Sequence, residues 1–384
     1  MHNNLVNKYS NHIAIIGAGI SGLALGCILK KADIPVIIFE KSKDISDYGA
    51  GISISPNGIR ILKNLKLYDE VVEASSNPRQ ASFYSSNKKI NSFNIDVVTT
   101  SRQVLFKSLY KKYISLDGDI LFDHKLCDPN FDDLELHFSN NRSYKVRHVA
   151  ACDGIKSICR KKIESNNEPV YSGYSVWRAI VEKKQKNIKT FLGPNHHIVT
   201  YPISDSKISF VAAIKTPKKF KESWKSIGTY EELRNDLVFS NRDFYSFINE
   251  ETPLFKWGVY IRPLLKNIKF SNLTLLGDAA HPIVPFIGQG GCLALEDAYI
   301  FGRLLTKYNS DIIKAQNAYE AMRIKRINTI ANMSLKQGQL NHISNPIIVF
   351  LRNFVMKHFH SLALKSIREK IWKYDPVEEI RNFR

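Results

Sequence analysis

The chain has few cysteines, fewer acidic than basic residues, and no long apolar run. Its five cysteines (Cys27, Cys127, Cys152, Cys159 and Cys292) are odd in number and include no C-x-x-C pair. That argues against a disulfide framework and against a dithiol redox enzyme, and fits a reducing, cytoplasmic compartment. The lead Met1–Asn11 is polar and lacks the apolar stretch and small-residue cleavage site of a secretory signal. Runs such as Ile34–Phe39 are far shorter than the ~20 residues a membrane-spanning helix needs. A soluble protein without stable membrane insertion is expected, as monomer or homodimer.

Lys and Arg total 55 against 36 Asp and Glu, a formal net charge of +19. The positive charge is spread along the whole length, with no basic tail or arginine-rich arm. Nucleic-acid binding usually concentrates charge on one face and adds a recognisable module, so no nucleic-acid partner is expected. A generally positive field does favour small anionic ligands. The length of 384 residues exceeds what one core usually serves, which points to two joined domains with a helical extension. There is no internal repeat or low-complexity tract.

From His12 the chain reads as a strand to Ile16, a glycine turn, a helix to about Ala32 and a second strand Val36–Glu40, a βαβ opening. In the turn, Gly17-Ala18-Gly19-Ile20-Ser21-Gly22, glycines permit a tight bend, close approach of backbone to a pyrophosphate and close helix packing. The helix N-terminus behind it offers free N–H groups to an anion. Glu40 ends the next strand, where a carboxylate can accept the two hydroxyls of an adenosine ribose. This much specifies a dinucleotide but does not separate FAD from NAD.

Further on, a helix is expected near Arg102–Ile114 and a strand over Lys145–Cys152 that returns to the first sheet. Residues 170–270 alternate short strand-like runs (Tyr174–Val181, His197–Pro202, Ile208–Ile214) with polar turns and one helix near Tyr230–Phe239, which reads as a separate, mainly antiparallel layer. Another buried strand, Leu273–Leu276, leads to Gly277-Asp278 and a long helix from about Gly291; the pattern is helical from Ser310 onward.

Gly277-Asp278-Ala279-Ala280-His281-Pro282, followed by Pro285-Phe-Ile-Gly288-Gln-Gly290-Gly291-Cys292-Leu-Ala-Leu-Glu-Asp297, resembles the second FAD motif of the aromatic-ring hydroxylase family of flavoprotein monooxygenases, salicylate-hydroxylase-like and zeaxanthin-epoxidase-like members included. A strand would deliver Asp278 to a polyol, while Gly288, Gly290 and Gly291 leave a helix N-terminus bare for a flat ring. The dipole there favours negative charge by ~0.3–1 kcal/mol. Ala151-Cys152-Asp153-Gly154 through Arg160 is similar to the family's Asp-Gly motif, which implies that Asp153 and Arg160 organise the pyrophosphates of FAD and NAD(P)H. Gly49-Ala-Gly51 through Asn57 resembles the loop near the isoalloxazine, and Arg102 matches an arginine that contacts FAD. Trp257 through Pro263 resembles the segment before the second FAD motif, with Ile261 where the family commonly has aspartate.

The resemblance implies an α/β fold. A discontinuous Rossmann-like FAD-binding domain would comprise 1–75, 100–168 and 271–330, with an inserted, mainly antiparallel substrate domain of 76–99 and 169–270 and a C-terminal helical segment, 331–384. The cofactor contacts it implies are Gly17, Gly19, Ile20, Ser21, Gly22, Glu40, Lys41, Gly51, Arg102, Leu126, Asp153, Arg160, Asp278, Pro285, Gly288, Gly290, Gly291 and Cys292.

No second strand-linked G-x-G-x-x-G is present, so NADH or NADPH is implied as a transient co-substrate rather than the tenant of its own domain. The implied reaction inserts one atom of O2 into a small aromatic substrate through a flavin hydroperoxide. Epoxidation, modification of an antibiotic, and non-catalytic redox sensing on the same flavin fold are alternatives. A phenol of pKa near 10 costs ~4 kcal/mol to ionise at neutral pH, so a base would add ~10²–10⁴-fold in rate. Tyr201 resembles a tyrosine that assists deprotonation in the family. His197 lies four residues earlier on the same face of a strand, where a relay to Tyr201 and a pair of surface histidines with His196 are the two readings. Arg178 is a candidate for an anionic substrate group or a structural salt bridge. His281, with no partner at ligand spacing, reads as a positioning residue rather than a metal ligand. Ile347, Phe350, Leu351, Phe354 and Val355 fall at helical spacing, for which core or dimer packing is the expectation and membrane-surface association the minor alternative.

Overall fold

The structure is a computed structural model that describes residues 7–44, 50–164, 167–220, 226–237 and 247–383. Gly49 and Phe239, quoted above in a loop and at a helix end, lie outside them. Apolar runs IAII (Ile13–Ile16) and VIIF (Val36–Phe39) are buried at every position. Strands of that kind sit in parallel sheets covered on both faces. Here they lie in a six-stranded sheet ordered Lys269–Phe270, Leu273–Leu275, His148–Ala151, Ile13–Ile16, Val36–Phe39, Asp119–Leu121. Every neighbouring pair is parallel except the two-residue edge strand Lys269–Phe270. The helices Ile20–Lys31, Arg102–Ile114 and Gly290–Lys307 bury apolar side chains, Leu23, Leu105, Leu109, Leu293 and Leu304 among them. The doubly wound α/β fold read from the sequence is present.

The second sheet has eight strands, ordered Ile227–Gly228, Leu254–Ile261, Val170–Glu182, Lys207–Lys215, His196–Pro202, Ile188–Gly193, Gln80–Ser85, Lys88–Asn94. All contacts are antiparallel except that between Ile188–Gly193 and Gln80–Ser85. Side chains alternate between faces. Trp177, Ile198, Phe210 and Ala212 pack beneath Leu233 and Leu237 of the segment that begins with the Tyr230–Asp236 helix. On the other face Tyr174, Val176, Ala213, Trp257 and Val259 meet Val284 and Phe286 from the second glycine-rich segment. The two sheets therefore meet at that loop.

Two expectations need correction. The run Lys145–Cys152 is not one strand: Ser143–Lys145 pairs with Glu135–His137, while His148–Ala151 enters the main sheet. Its backbone changes partner between them, Val146 N donating to Leu134 O and Arg147 N to His12 O. Of the two packings expected for the apolar stripe of the Pro346–His358 helix, core and dimer, burial in this chain's own core is not found, and the stripe is exposed. Ile347, Phe350, Leu351, Phe354 and Val355 are 72%, 69%, 54%, 48% and 49% accessible. Polar bonds set this orientation: Arg352 donates to Leu340 O at 3.2 Å, and Asn91 Nδ2 donates to the Met356 carbonyl at 2.7 Å.

Candidate active site

Register fixes the cradle. Phe39, Ile16, Ala151 and Leu275 are successive partners across four parallel strands. Their carboxyl ends therefore finish on one line, and Glu40, Gly17, Cys152 and Leu276 are the next residues out. Ligands of open α/β sheets bind at this edge. Gly17 has φ of +102°, and a methyl there would come within 2.6 Å of the Cys152 carbonyl oxygen, so only glycine closes the turn. Cys152 Sγ lies 3.6 Å from Ser21 Oγ. A methyl at Gly277 would meet Ser21 Cβ at 3.2 Å, and one at Gly291 would come within 3.9 Å of Ile20 Cδ1. Three stretches far apart in the chain are in contact here.

The surfaces they present suit a dinucleotide. A methyl on Gly19 or Gly290 would meet no atom within 4 Å, so both backbones border open space. Glu40 straddles the first turn, Oε2 accepting from Ala18 N at 2.8 Å and Oε1 from Ser42 N at 2.9 Å. Each oxygen keeps lone pairs for a ribose. Asp153 Oδ2 accepts from Ile158 N at 2.9 Å and Cys159 N at 3.3 Å. Asp153 Oδ1 is buried with no hydrogen-bond partner among the described residues, which fits an acceptor awaiting a ligand donor. Asp278 is exposed just past the strand end. Pro285 opens a 3-10 turn that Gly288 closes at φ +65°, and the Gly290–Lys307 helix begins on Gln289 with no side-chain cap. Its first N–H groups, at Gly290, Gly291 and Cys292, have no acceptor within the helix, as binding of an anionic ring edge requires. The residues present fit FAD.

What holds the loop rigid was not visible in the sequence. Asn57 Nδ2 donates to Gln289 Oε1 at 3.0 Å and to Glu296 Oε1 at 2.6 Å, while Gln289 Nε2 donates to Ser55 Oγ at 3.0 Å. Arg323 Nη1 meets Glu296 at 2.6 Å and Nε meets Asp297 at 2.7 Å, all three side chains being 0% exposed. Arg326 also pairs with Glu296 at 2.6 Å. Asp297 Oδ2 accepts from Gly277 N at 2.8 Å and is hydrogen-bonded to His281. Burial alone would raise Asp297, but His281 and Arg323 overcome it and hold the carboxyl at about 2. One carboxylate thus ties the Gly277 turn to the helix. His281 does have an acidic partner, sixteen residues on, and is a positioning residue.

In the eight-stranded sheet, cross-strand pairing puts Arg178 opposite Val211, Val211 opposite Val199, and Ser209 opposite Tyr201. These share the face that meets the second glycine-rich segment. The Arg178 guanidinium lies 5.0 Å from the centre of the Trp257 ring. Burial lowers its pKa, and the nearby Tyr201 counteracts this. Burial raises Tyr201, with Arg178 and Ser209 opposing, so the phenol keeps its proton at neutral pH. Tyr201 also abuts the cofactor side, since a methyl on Gly51 would come 2.7 Å from its hydroxyl and 2.5 Å from Ser209 Cβ. Gly51→Ala is therefore expected to displace Ser209 and Tyr201 and lower turnover per bound flavin; wild-type turnover per flavin would show that the contact is not needed.

The relay from His197 to Tyr201 is not formed. Four residues along a strand span roughly 13 Å, and His197 Nδ1 lies instead 2.6 Å from His342 Nε2, its ring edge-on to Phe286. His197 locks the sheet to the end of the Ile312–Asn341 helix. Arg160 is also turned inward. It is 1% exposed and donates to the carbonyls of Ala279, Ala280 and Pro263 at 3.3, 2.6 and 2.6 Å, and to Asn167 Oδ1 at 2.9 Å. It braces the second motif rather than reaching toward a pyrophosphate. The Leu126 side chain belongs to the main core, which leaves only its main chain for a cofactor. Cys292 is buried and pushed up to about 12 by that burial, hence a packed thiol. Lys41 is exposed past Glu40. Arg102 opens its helix beside Gly51, its N–H donating to Ala50 O at 2.7 Å.

Comparison with known proteins agrees with this geometry. The family model described as FAD binding domain matches residues 10–326. A 3-amino-4-hydroxybenzoate 2-monooxygenase of Streptomyces platensis is 26% identical over 361 residues, covering 88% of this chain and 90% of its own. An FAD-dependent urate hydroxylase of Klebsiella oxytoca is 28% identical over 353 residues, covering 85% and 90%. A crystal structure of an HpxO variant of Klebsiella pneumoniae complexed with FAD superposes with a TM-score of 0.81 at 22% identity, covering 94% of this chain and 98% of that one. With the glycine turn, the Asp153 segment and the Gly277–Cys292 segment joined at one sheet edge, the chain belongs to the FAD-binding-domain family of FAD-dependent monooxygenases.

Proposed function

We propose that this enzyme hydroxylates a small, acidic aromatic ring, such as a phenolic acid, at the expense of NADH or NADPH. The observation that carries the reading is that a half-buried guanidinium, Arg178, and the Tyr201 phenol stand on the same sheet face, the one that meets the flavin loop, with Arg178 beside the Trp257 ring. Two of the similar proteins are named for aromatic substrates, an aminohydroxybenzoate and urate, and acidic rings of that kind suit a half-buried cation. On this reading residues 76–99 and 169–270 bind the substrate and the remainder of 1–330 binds the cofactor.

The chemistry supplied by FAD, when bound, would be the use of two electrons from NAD(P)H to split O2, one oxygen atom going to the ring and the other to water. Glu40 and Asp278 would hold the polyol ends of FAD, and the N–H groups of Gly290, Gly291 and Cys292 would face its anionic edge. Arg178 would anchor the substrate's negative group. Tyr201, kept protonated, would donate a hydrogen bond to the phenolic oxygen and favour its ionised form. Trp257, Val199 and Val211 would present apolar surface to the ring and exclude water.

The test is substrate-stimulated NAD(P)H oxidation across hydroxybenzoates, neutral phenols and purines, with the oxygenated product identified. Arg178→Met should raise KM for a carboxylate substrate by about 10-fold or more, the loss of a charge-assisted bond, and leave a neutral phenol nearly unaffected. Tyr201→Phe should slow hydroxylation while sparing flavin reduction. A panel in which no aromatic acid accelerates NAD(P)H oxidation would sink the proposal.

A further inference from the structure

We propose that the Pro346–His358 helix docks this enzyme on a lipid surface that carries anionic head groups. The helix is inverted relative to an ordinary amphipathic surface helix, which turns its apolar stripe to the core. Val349, Arg352, Asn353 and Met356 are its partly buried positions, while Ile347, Ile348, Phe350, Leu351, Phe354 and Val355 all point away from the protein. The orientation is specific. Asn345 caps the first turn, accepting from Ile347 N and Ile348 N at 3.0 and 3.2 Å. Arg352 and the Met356 carbonyl make the inward bonds described above. A contiguous apolar patch of this kind marks an interaction surface.

Charge selects the occupant. From Gln337 to Arg368 the chain has no Asp or Glu, while Lys357, Lys365 and Arg368 are basic and exposed. Lys88 and Lys89 are exposed on the Lys88–Asn94 strand, to which Asn91 joins the helix. A second copy would set these same positive charges against themselves, on chains that each carry +19. An anionic bilayer complements them, at about 1 kcal/mol of attraction per nearby Lys or Arg. No helix among the described residues is long and apolar enough to cross a membrane. A 13-residue helix with Phe and Ile outward, the exposed Lys357 on it and Lys88 and Lys89 on the strand it is bonded to, is the form that lies in the interface plane.

The experiment is cosedimentation of the full-length, FAD-loaded enzyme with vesicles of phosphatidylcholine alone and of phosphatidylcholine mixed with phosphatidylglycerol. Binding to the mixed vesicles, weakened by salt and much reduced on phosphatidylcholine alone, is expected. F350S/F354S should bind about 10-fold or more weakly, because two aromatic side chains leave the bilayer. Both positions are exposed, so its thermal midpoint and flavin content should match the wild type. K357E tests the charge separately and should weaken binding to the mixed vesicles. The proposal fails if the wild type stays in the supernatant, binds both vesicles equally, or is matched by F350S/F354S. It also fails if light scattering shows two chains for the wild type and one for that variant, since a second copy would then cover the face.

Discussion

Arg323→Met is expected to destabilise the enzyme by about 3–5 kcal/mol, the range for removing one partner of a fully buried ion pair. Arg323 bridges Glu296 and Asp297, neither of which has any exposed surface. Without it, Glu296 keeps Arg326 and Asn57 among the described residues, and Asp297 keeps His281 and Gly277 N. Either one carboxylate takes up a proton or the helix shifts to admit water. The thermal midpoint should fall by roughly 5–10 °C, the change per kcal/mol being smaller for a long chain. Because Glu296 leads through Asn57 and Gln289 to Ser55, the variant should also lose FAD more readily on gel filtration. Arg323→Lys should fall between the two, since an ammonium cannot reproduce the fork. A midpoint within about 2 °C of wild type for Arg323→Met would show that the network is not a support of the site.

Acid should weaken the fold steeply, and at a pH where carboxylates are still ionised. His148, His197 and His342 are all buried. Burial pushes His148 down to about 3 and drives the hydrogen-bonded pair His197 and His342 well below the ordinary value. In the unfolded chain each would titrate near 6.5. As pH falls below that, the unfolded chain takes up protons that the folded one refuses. The contribution is therefore intact above ~6.5 and is lost progressively toward the depressed folded values. Each imidazole removes up to ~1.4 kcal/mol per pH unit, so three acting together remove ~4 kcal/mol per unit below about pH 6. Asp297, held at about 2, adds a loss of the same sign only below its ordinary ~3.9. Thermal midpoints should be flat from pH 8 to 7 and drop sharply below 6, and His342→Gln should flatten that slope. Equal midpoints at pH 7 and pH 5 would contradict the burial of these rings as neutral species.

Glycine turns, strand-terminal acids and apolar runs were legible because their cause is local. Gly17 must adopt a positive φ, and the all-apolar Ile13–Ile16 and Val36–Phe39 strands can only be sheet interior. The Arg102–Ile114 helix has the limits read from the sequence because Ser101 caps it, accepting from Val104 N at 3.1 Å. What was not legible depends on which distant residue lies opposite. Arg323 sits on a different helix from Glu296 and Asp297, and nothing in its neighbourhood says that it faces inward. His197 pairs with His342 across 145 positions. A strand pattern gives its face but not the partner waiting there. The Pro346–His358 stripe shows the limit of periodicity most clearly: spacing identifies an apolar face, and only tertiary bonds from Arg352 and Asn91 decide which way it looks.

The line of strand ends has a consequence for biosynthesis. His148–Ala151 is flanked on one side by Ile13–Ile16 and on the other by Leu273–Leu275, so its second edge stays unpaired until residue 275 has left the ribosome and its tunnel. The chain between them must meanwhile form most of a second sheet, of which the two strands at one edge, Gln80–Ser85 and Lys88–Asn94, were made much earlier. Such long-range parallel pairing is slow and leaves a bare, sticky margin on the nascent polypeptide. Productive yield in a cell should therefore depend on chaperone capacity and on translation speed through 152–275 more than on the stability of the finished protein.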